Sequence, residues 1–186
     1  QDARTVAALP AEVGDYAERM PPAPPQVSGS EGGFGTEATA EAIAAINIAI
    51  QPGGTNLPDG SGSYEVGMSV YNDKCSYCHG ENLEGIKDIG APALLGGRGT
   101  LTTDAPFKTV ESYWPQASTL FDYVHRAMPM DSPGSLTPDE VYAVTAYILG
   151  EAGILDTSVT LNAANFADIK MPNEDGFYAD PRPDTQ

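Results

Sequence analysis

The chain has few of the residues that bind nucleic acid or cross membranes. Nine basic residues stand against 26 acidic ones in 186 residues, which gives a net charge of −17. Phosphate binding needs concentrated lysine and arginine, so the composition excludes nucleic acid, and equally an anionic membrane surface, as a partner. No stretch approaches the ~20 apolar residues of a membrane span, because the richest run, residues 42–50, is short and contains Asn47. The acidic charge instead suits solubility and steering toward a basic partner.

Cysteine and histidine are also scarce, and their placement is the most informative feature of the chain. Cys75 and Cys78 are the only cysteines, His79 follows the second one directly, and His125 is the only other histidine. Thiols at this spacing can bond to the two vinyl groups of a haem while the following imidazole ligates the iron, which is the c-type attachment pattern. Residues 75–79, which read CSYCH and are called the CSYCH motif below, therefore predict one covalently bound haem c.

Other uses of a cysteine pair fit this sequence less well. A zinc site needs about four ligands, typically from two clusters, and the sequence has no second cluster. A thioredoxin-type dithiol needs no following histidine and belongs in a βαβ unit. A plain disulfide across two intervening residues would form a tight ring, and it stays open as an alternative at this point.

Composition divides the chain into an arm, a domain and a tail. Residues 1–60 contain a Pro-Pro-Ala-Pro-Pro run and glycine-rich turns, and such a composition cannot bury a core. We expect this segment to be an extended arm that wraps a partner subunit. Residues 61–155 are expected to form the haem domain, and residues 156–186 a C-terminal extension and tail.

The first helix of the expected domain has a clear start and a tightly packed face. Ser63 is a plausible N-cap for a helix that runs to about Cys75. Gly67 and Tyr71 lie four residues apart, so they share one face of it. The glycine would let another helix approach closely, and the tyrosine would fill the space beside it.

Two further helices are expected toward the end of the domain, which makes its fold all-α. Ser118 is expected to cap a helix over residues 119–127. Thr137 begins the clearest helix, because a proline follows it at the first helical position and Glu140 completes a capping box. Gly150 is expected to end that helix.

The second axial ligand of the iron is expected to be Met128. This methionine lies about 50 residues after His79, beyond residues 80–99, which contain six glycines and are called the glycine-rich loop below. Loops of this length usually have a function, and this one could wrap a flat cofactor. It stands at a helix end before a proline, where its thioether can face the haem opposite His79. Met130 is almost as well placed and remains an alternative. His125 precedes Met128 by one helical turn and is the other alternative, with a lower reduction potential expected from two histidines.

Three other residues are expected to contact the haem or its ligand. His79 should donate its second ring N–H to a backbone carbonyl, which fixes the ring and tunes the iron, and Pro92 is well placed to offer one. Arg98 and Trp114 are candidates for hydrogen bonds to the propionates, since the arginine matches their charge and geometry and the tryptophan has one N–H to satisfy.

With these residues in view, the chain resembles a class I cytochrome c domain. Within that class it is similar to the cytochrome subunit of bacterial sulfane dehydrogenase, from the periplasmic sulfur-oxidising system, and to cytochromes paired with sulfite dehydrogenase. The similarity covers about residues 40–178. It rests on Gly67, Tyr71, the CSYCH motif, Pro92, Met128 and Tyr147, and on residues 46–54, 57–62, 114–123, 126–129, 135–149 and 171–177.

The resemblance implies a subunit that carries electrons and performs no substrate chemistry itself. The implied partner is a molybdenum-cofactor dehydrogenase subunit that oxidises sulfur bound to a carrier protein, and the electrons leave to a downstream acceptor cytochrome. Because haem is attached covalently outside the bacterial cytoplasm, we expect the mature protein to lie in the periplasm. We also expect that a signal peptide has been removed, since none is visible at the start of the chain. Relatives often carry two haem domains, whereas this sequence has a single CxxCH. A free electron-shuttle cytochrome and a haem enzyme with an open sixth site are the competing hypotheses.

Overall fold

The structure is a computed structural model that describes residues 36–178. The described residues fall into two units, which divide between residues 46 and 47. In the described part of the first unit, helix α1 spans Ala40–Ile46, and the Thr39 hydroxyl near its start accepts a hydrogen bond from the Ala42 N–H at 3.2 Å. The expectations for residues 1–35 and 179–186 lie outside the described residues.

The second unit is mainly helical. Its elements are a 3₁₀ turn Pro52–Gly54, strand β1 Ser61–Gly62, helix α2 Tyr64–Lys74, helix α3 Ser76–His79, a 3₁₀ turn Lys87–Ile89, helix α4 Ala117–Ala127, helix α5 Pro138–Glu151, strand β2 Leu161–Asn162 and a 3₁₀ turn Phe166–Asp168. The two strands pair antiparallel, with Ser61 opposite Asn162 and Gly62 opposite Leu161. Across residues 36–178, no helix combines the length and the apolar character that crossing a bilayer requires.

Helices α2 and α5 pack against each other at Gly67. A Cβ at this position would lie 1.9 Å from the backbone oxygen of Ala143 and 2.8 Å from the Cβ of Tyr147. Only glycine permits such a close approach of two backbones. The expected close helix contact at Gly67 is therefore confirmed, and it fixes the helix that leads into the CSYCH motif.

The predicted ends of α2 and the start of α5 are also confirmed. The Ser63 hydroxyl accepts from the Val66 N–H at 3.4 Å, and α2 ends at Lys74, immediately before Cys75. At the start of α5, the Thr137 N–H donates to the Glu140 carboxylate at 2.8 Å, while the Thr137 hydroxyl accepts from the Glu140 N–H at 3.3 Å. These reciprocal bonds form the predicted capping box.

Two expected helix boundaries are wrong. Helix α4 begins at Ala117 after Gln116, so Ser118 lies inside the first turn, where it is buried instead of capping. Helix α5 continues through Gly150 to Glu151, and Gly153 provides the left-handed residue after it, with φ of 63°. Gly150 has a packing role instead, because a Cβ there would lie 2.7 Å from the Tyr64 ring.

The compact unit is longer at both ends than residues 61–155. On the N-terminal side, Ile50 is buried and its N–H donates to the Asp122 carboxylate at 2.8 Å. On the C-terminal side, Leu161, Phe166 and Met171 are each at most 3% exposed. Ile50, the partly buried Leu57 and part of the C-terminal extension therefore belong to the same core as the helices.

Candidate haem-binding site

The CSYCH motif forms a short helical turn directly after α2. Cys75 leaves helical geometry, with φ of −123° and ψ of −36°, yet its N–H still donates to the Tyr71 oxygen at 2.8 Å. Its own carbonyl accepts from the His79 N–H at 2.9 Å, which closes the turn of α3. No disulfide joins Cys75 to Cys78. One turn of chain thus presents two thiols and an imidazole together.

A buried tyrosine anchors the C-terminal end of this turn. The Tyr71 hydroxyl donates to the Gly80 oxygen at 2.7 Å, and the Tyr71 side chain is fully buried. Burial, followed by the nearby Cys75 thiol, raises the pKa of Tyr71 above its usual range, so the phenol remains a neutral donor. The sequence indicated a space-filling role for Tyr71, but its hydrogen-bond partner depends on how the chain turns after His79.

The His79 ring is held by the predicted carbonyl. Its Nδ1 lies 2.9 Å from the Pro92 oxygen. A carbonyl can only accept, so Nδ1 carries the proton and the lone pair of Nε2 is free to ligate a metal. Gly85 makes room for this contact, because it adopts φ of 74° and a Cβ there would lie 2.5 Å from the carbonyl carbon of Pro92.

The two candidate methionines differ sharply in their environments. Met128 follows the last residue of α4, its N–H donates to the Val124 oxygen at 3.2 Å, and its side chain is half-buried against the hydrophobic core. Met130 is 79% exposed. A thioether that ligates iron must lie in the protein interior beside the ring, so the contrast favours Met128. His125 is partly buried on α4, with a ring centroid 6.0 Å from that of Phe121, and its Nδ1 has no hydrogen-bond partner among residues 36–178.

Arg98 and Trp114 already have partners within the protein. The Arg98 Nε lies 2.7 Å from a carboxylate oxygen of Glu111, and Nη2 donates to the Ala152 carbonyl. The other Glu111 oxygen accepts from the Gly96 N–H at 2.5 Å, so this acidic residue, which the sequence analysis missed, organises the end of the glycine-rich loop. The Trp114 ring packs edge-to-face on Tyr123 at 6.0 Å. A haem propionate that binds Arg98 would have to share the guanidinium group with Glu111. The propionate contacts of Arg98 and Trp114 stay predictions.

The donor set and its surroundings fit a covalently attached haem. Two thiols suit the two vinyl groups, the free Nε2 suits the iron, and half-buried Leu94, Leu95 and Trp114 pack against the core as apolar surface for a flat ring. Burial, followed by the charge of Cys78, raises the pKa of Cys75 to about 11. The thiol is therefore protonated at neutral pH, and its S–H can add across a vinyl C=C without any oxidant.

Comparison with known proteins agrees with this chemistry. The family model described as cytochrome c matches residues 64–151. Among solved structures, the sulfane dehydrogenase SoxCD from Paracoccus pantotrophus contains a chain that is 42% identical, with a TM-score of 0.74. The match covers 83% of this chain and 75% of that one. The chain belongs to the cytochrome c family. A search of the curated proteins gives no significant match.

Membership in this family confirms several expectations from the sequence. The fold is the all-α class I cytochrome c fold, and the resemblance to the cytochrome subunit of sulfane dehydrogenase is confirmed. This cytochrome c binds haem c covalently and acts in haem-mediated electron transfer. The roles of the individual residues Cys75, Cys78, His79, Met128 and Pro92 stay predictions, supported by the geometry described above.

Proposed function

We propose that this cytochrome c is the electron-transfer subunit of a periplasmic sulfane dehydrogenase complex. In this proposal it accepts electrons one at a time from a molybdenum-cofactor subunit and passes them to a downstream acceptor cytochrome. The observation that carries the proposal is the 42% identity to a chain of SoxCD over 83% of this chain. That coverage extends well beyond the residues 64–151 that define the cytochrome c match.

The residues of the chain account for a carrier that performs no substrate chemistry. A haem held by Cys75 and Cys78 would supply one Fe(III)/Fe(II) couple. His79, fixed through the Pro92 carbonyl, and Met128, half-buried at the end of α4, would occupy both axial positions and leave none open for a substrate. Thioether ligation also raises the reduction potential relative to two histidines. The single CSYCH motif in these 186 residues supports one haem for this stretch of chain.

Purification of the native assembly tests the proposal. We expect this chain to co-purify with a subunit that contains molybdenum, with one haem iron per copy of the cytochrome. Rapid mixing with carrier-bound sulfane sulfur should reduce the haem. Replacing both Cys75 and Cys78 with serine should abolish this reduction without removing the molybdenum subunit.

Two other results would contradict the proposal. Reduction by sulfite and not by sulfane sulfur would make this chain the cytochrome subunit of a sulfite dehydrogenase. Elution of the native protein as a single chain, with a haem that can be reduced and reoxidised, would make it a free electron shuttle.

A paired substitution tests the axial ligand separately. Oxidised cytochromes with a methionine–iron bond show a weak far-red absorption band. We expect Met128→Ala to lose this band and Met130→Ala, the matched control two residues away, to keep it. The opposite pattern would assign the ligand to Met130, and a band that persists in both variants would assign it to another methionine. Absence of the band from the unmodified protein would favour His125.

A further inference from the structure

Tyr71 is hydrogen-bonded to both ends of the CSYCH motif. Its backbone carbonyl accepts from the N–H of Cys75, the first residue of the motif, at 2.8 Å. Its hydroxyl donates to the carbonyl of Gly80, the residue that follows His79, at 2.7 Å. One residue of helix α2 therefore spans the whole turn that carries the two thiols and the imidazole.

Water cannot easily replace the hydrogen bond between Tyr71 and Gly80. Gly80 is buried and Tyr71 is fully buried, and a buried carbonyl that loses its donor destabilises the folded state. The Tyr71 ring is itself held in place, because it packs against Tyr147 of helix α5 with ring centroids 5.2 Å apart. The hydroxyl thus connects the end of the motif to the contact between α2 and α5.

The backbone next to Gly80 determines where the His79 ring lies. The His79 N–H donates to the Cys75 carbonyl at 2.9 Å, and the His79 carbonyl accepts from the Gly85 N–H at 2.7 Å. The side chain adds the contact of 2.9 Å between Nδ1 and the Pro92 oxygen. If the backbone at Gly80 shifted, the imidazole would move relative to Pro92, and this contact would weaken.

We propose that Tyr71 is a positioning residue for His79, and that it acts through the Gly80 carbonyl on the hydrogen bond between His79 and Pro92. This inference rests on the iron ligation by His79 that the proposed function includes, and it does not depend on the partner subunit. A stronger hydrogen bond from Nδ1 to the carbonyl makes the imidazole a better electron donor to iron. Better donation favours Fe(III) over Fe(II), so the Tyr71 hydroxyl helps to keep the reduction potential low.

The variant Tyr71→Phe tests this role, because it removes the hydroxyl and keeps the ring that packs on Tyr147. In the haem-containing chain, we expect potentiometry to give a reduction potential above that of the unmodified protein. We also expect nuclear magnetic resonance of the reduced protein to show faster exchange of the His79 Nδ1 proton with solvent. The rate should rise roughly 3- to 10-fold, which is the change that loss of one hydrogen bond of ordinary strength produces.

Tyr64→Phe is the matched control, because it also removes one tyrosine hydroxyl and one hydrogen bond from α2. Tyr64 is the first residue of that helix, at the end opposite the CSYCH motif. Its ring centroid lies 5.3 Å from that of Tyr147, and its hydroxyl bonds to the Glu151 carboxylate. If Tyr71 only stabilised the fold, both variants would unfold at a lower urea concentration, and neither would change the reduction potential or the exchange of the His79 proton.

Each result decides for or against the positioning role of Tyr71. A higher potential and faster proton exchange in Tyr71→Phe alone would support it. An unchanged potential, an unchanged exchange rate or equal changes in Tyr64→Phe would overturn it. A Tyr71→Phe chain that binds no haem would also overturn it, because the hydroxyl would then be needed for haem attachment and not for the orientation of His79. Failure of the proposed function would appear differently, as a haem in the unmodified protein that sulfane sulfur does not reduce.

Discussion

Replacing Gly67 with alanine should loosen the contact that positions the haem motif. The added Cβ would lie 1.9 Å from the backbone oxygen of Ala143. A carbon and a carbonyl oxygen ordinarily approach to about 3.3 Å. Helices α2 and α5 would therefore have to separate by about 1.4 Å, because the obstacle is backbone and cannot change rotamer.

The size of the effect follows from two opposing contributions. Alanine is favoured over glycine inside a helix by about 1 kcal/mol. Overpacking typically destabilises by about 1–3 kcal/mol, and a clash with backbone belongs at the upper end of that range. The expected net loss for Gly67→Ala is therefore about 2 kcal/mol in the free energy of unfolding, which corresponds to a Tm lower by about 6–8 °C for a unit of this size.

Urea unfolding of the haem-containing chain, followed by far-ultraviolet circular dichroism, measures this loss. Ser69→Ala is the matched control, because Ser69 is exposed on the same helix and its hydroxyl donates to the Glu65 carbonyl of the preceding turn at 3.3 Å. That control should stay within about 0.5 kcal/mol of the unmodified protein. If Gly67→Ala were as stable as Ser69→Ala, the two helices would not be in close backbone contact and the reasoning would be refuted.

Two further predictions concern side-chain and backbone hydrogen bonds. Gly85→Ala should push the Pro92 carbonyl away from His79, because the new Cβ would lie 2.5 Å from the carbonyl carbon of Pro92. A weaker hydrogen bond from His79 to this carbonyl makes the imidazole a poorer electron donor to the iron. Potentiometry should therefore show a higher reduction potential for the variant, and an unchanged potential would contradict this prediction. The Tyr64 hydroxyl donates to the Glu151 carboxylate, which, with burial, raises the pKa of Tyr64 from 10.0 to about 12. Because the pKa of Tyr64 is higher in the folded state than in the unfolded state, the stability that this hydrogen bond contributes is complete below pH 10 and is lost as pH rises toward 12. In an ultraviolet titration of tyrosinate, Glu151→Gln should return the pKa of Tyr64 toward its usual value. An unchanged pKa in this variant would refute the hydrogen bond.

Features encoded within a few neighbouring residues could be predicted from the sequence. The capping box at Thr137 depends on residues three apart and needs no tertiary contact. The CSYCH motif likewise contains its own chemistry, since both thiols and the imidazole lie in five consecutive residues. Even the Pro92 contact follows from a tight loop that returns to the histidine only 13 residues later.

Features that depend on distant partners could not be predicted in this way. Arg98 matched a propionate in charge, but Glu111 is its neighbour in the fold, 2.7 Å away, and no local pattern in the sequence pairs these two residues. Gly150 had the position of a helix terminator, yet α5 passes through it. Glycine stands there because the Tyr64 ring occupies the space where a side chain would be. In each case a contact across the fold decides the role of the residue.

The segments on either side of residues 61–155 also contribute side chains to the core that the sequence alone did not predict. Four residues of these segments are buried: Ile50, Leu161, Phe166 and Met171. Each lies in irregular or very short structure, so no helical or strand periodicity in the sequence predicts its burial. What fixes them is the surface that α4 and α5 leave uncovered: the Phe166 ring packs edge-to-face on Phe121 of α4 at 5.7 Å. Because these segments complete the core, a chain trimmed to residues 61–155 would expose that apolar face of α4, at a cost of about 1.5–3 kcal/mol for each large side chain left unburied. We therefore expect a chain of residues 61–155 to unfold at a lower urea concentration than one of residues 47–178, and equal midpoints would contradict a structural role for the flanking segments.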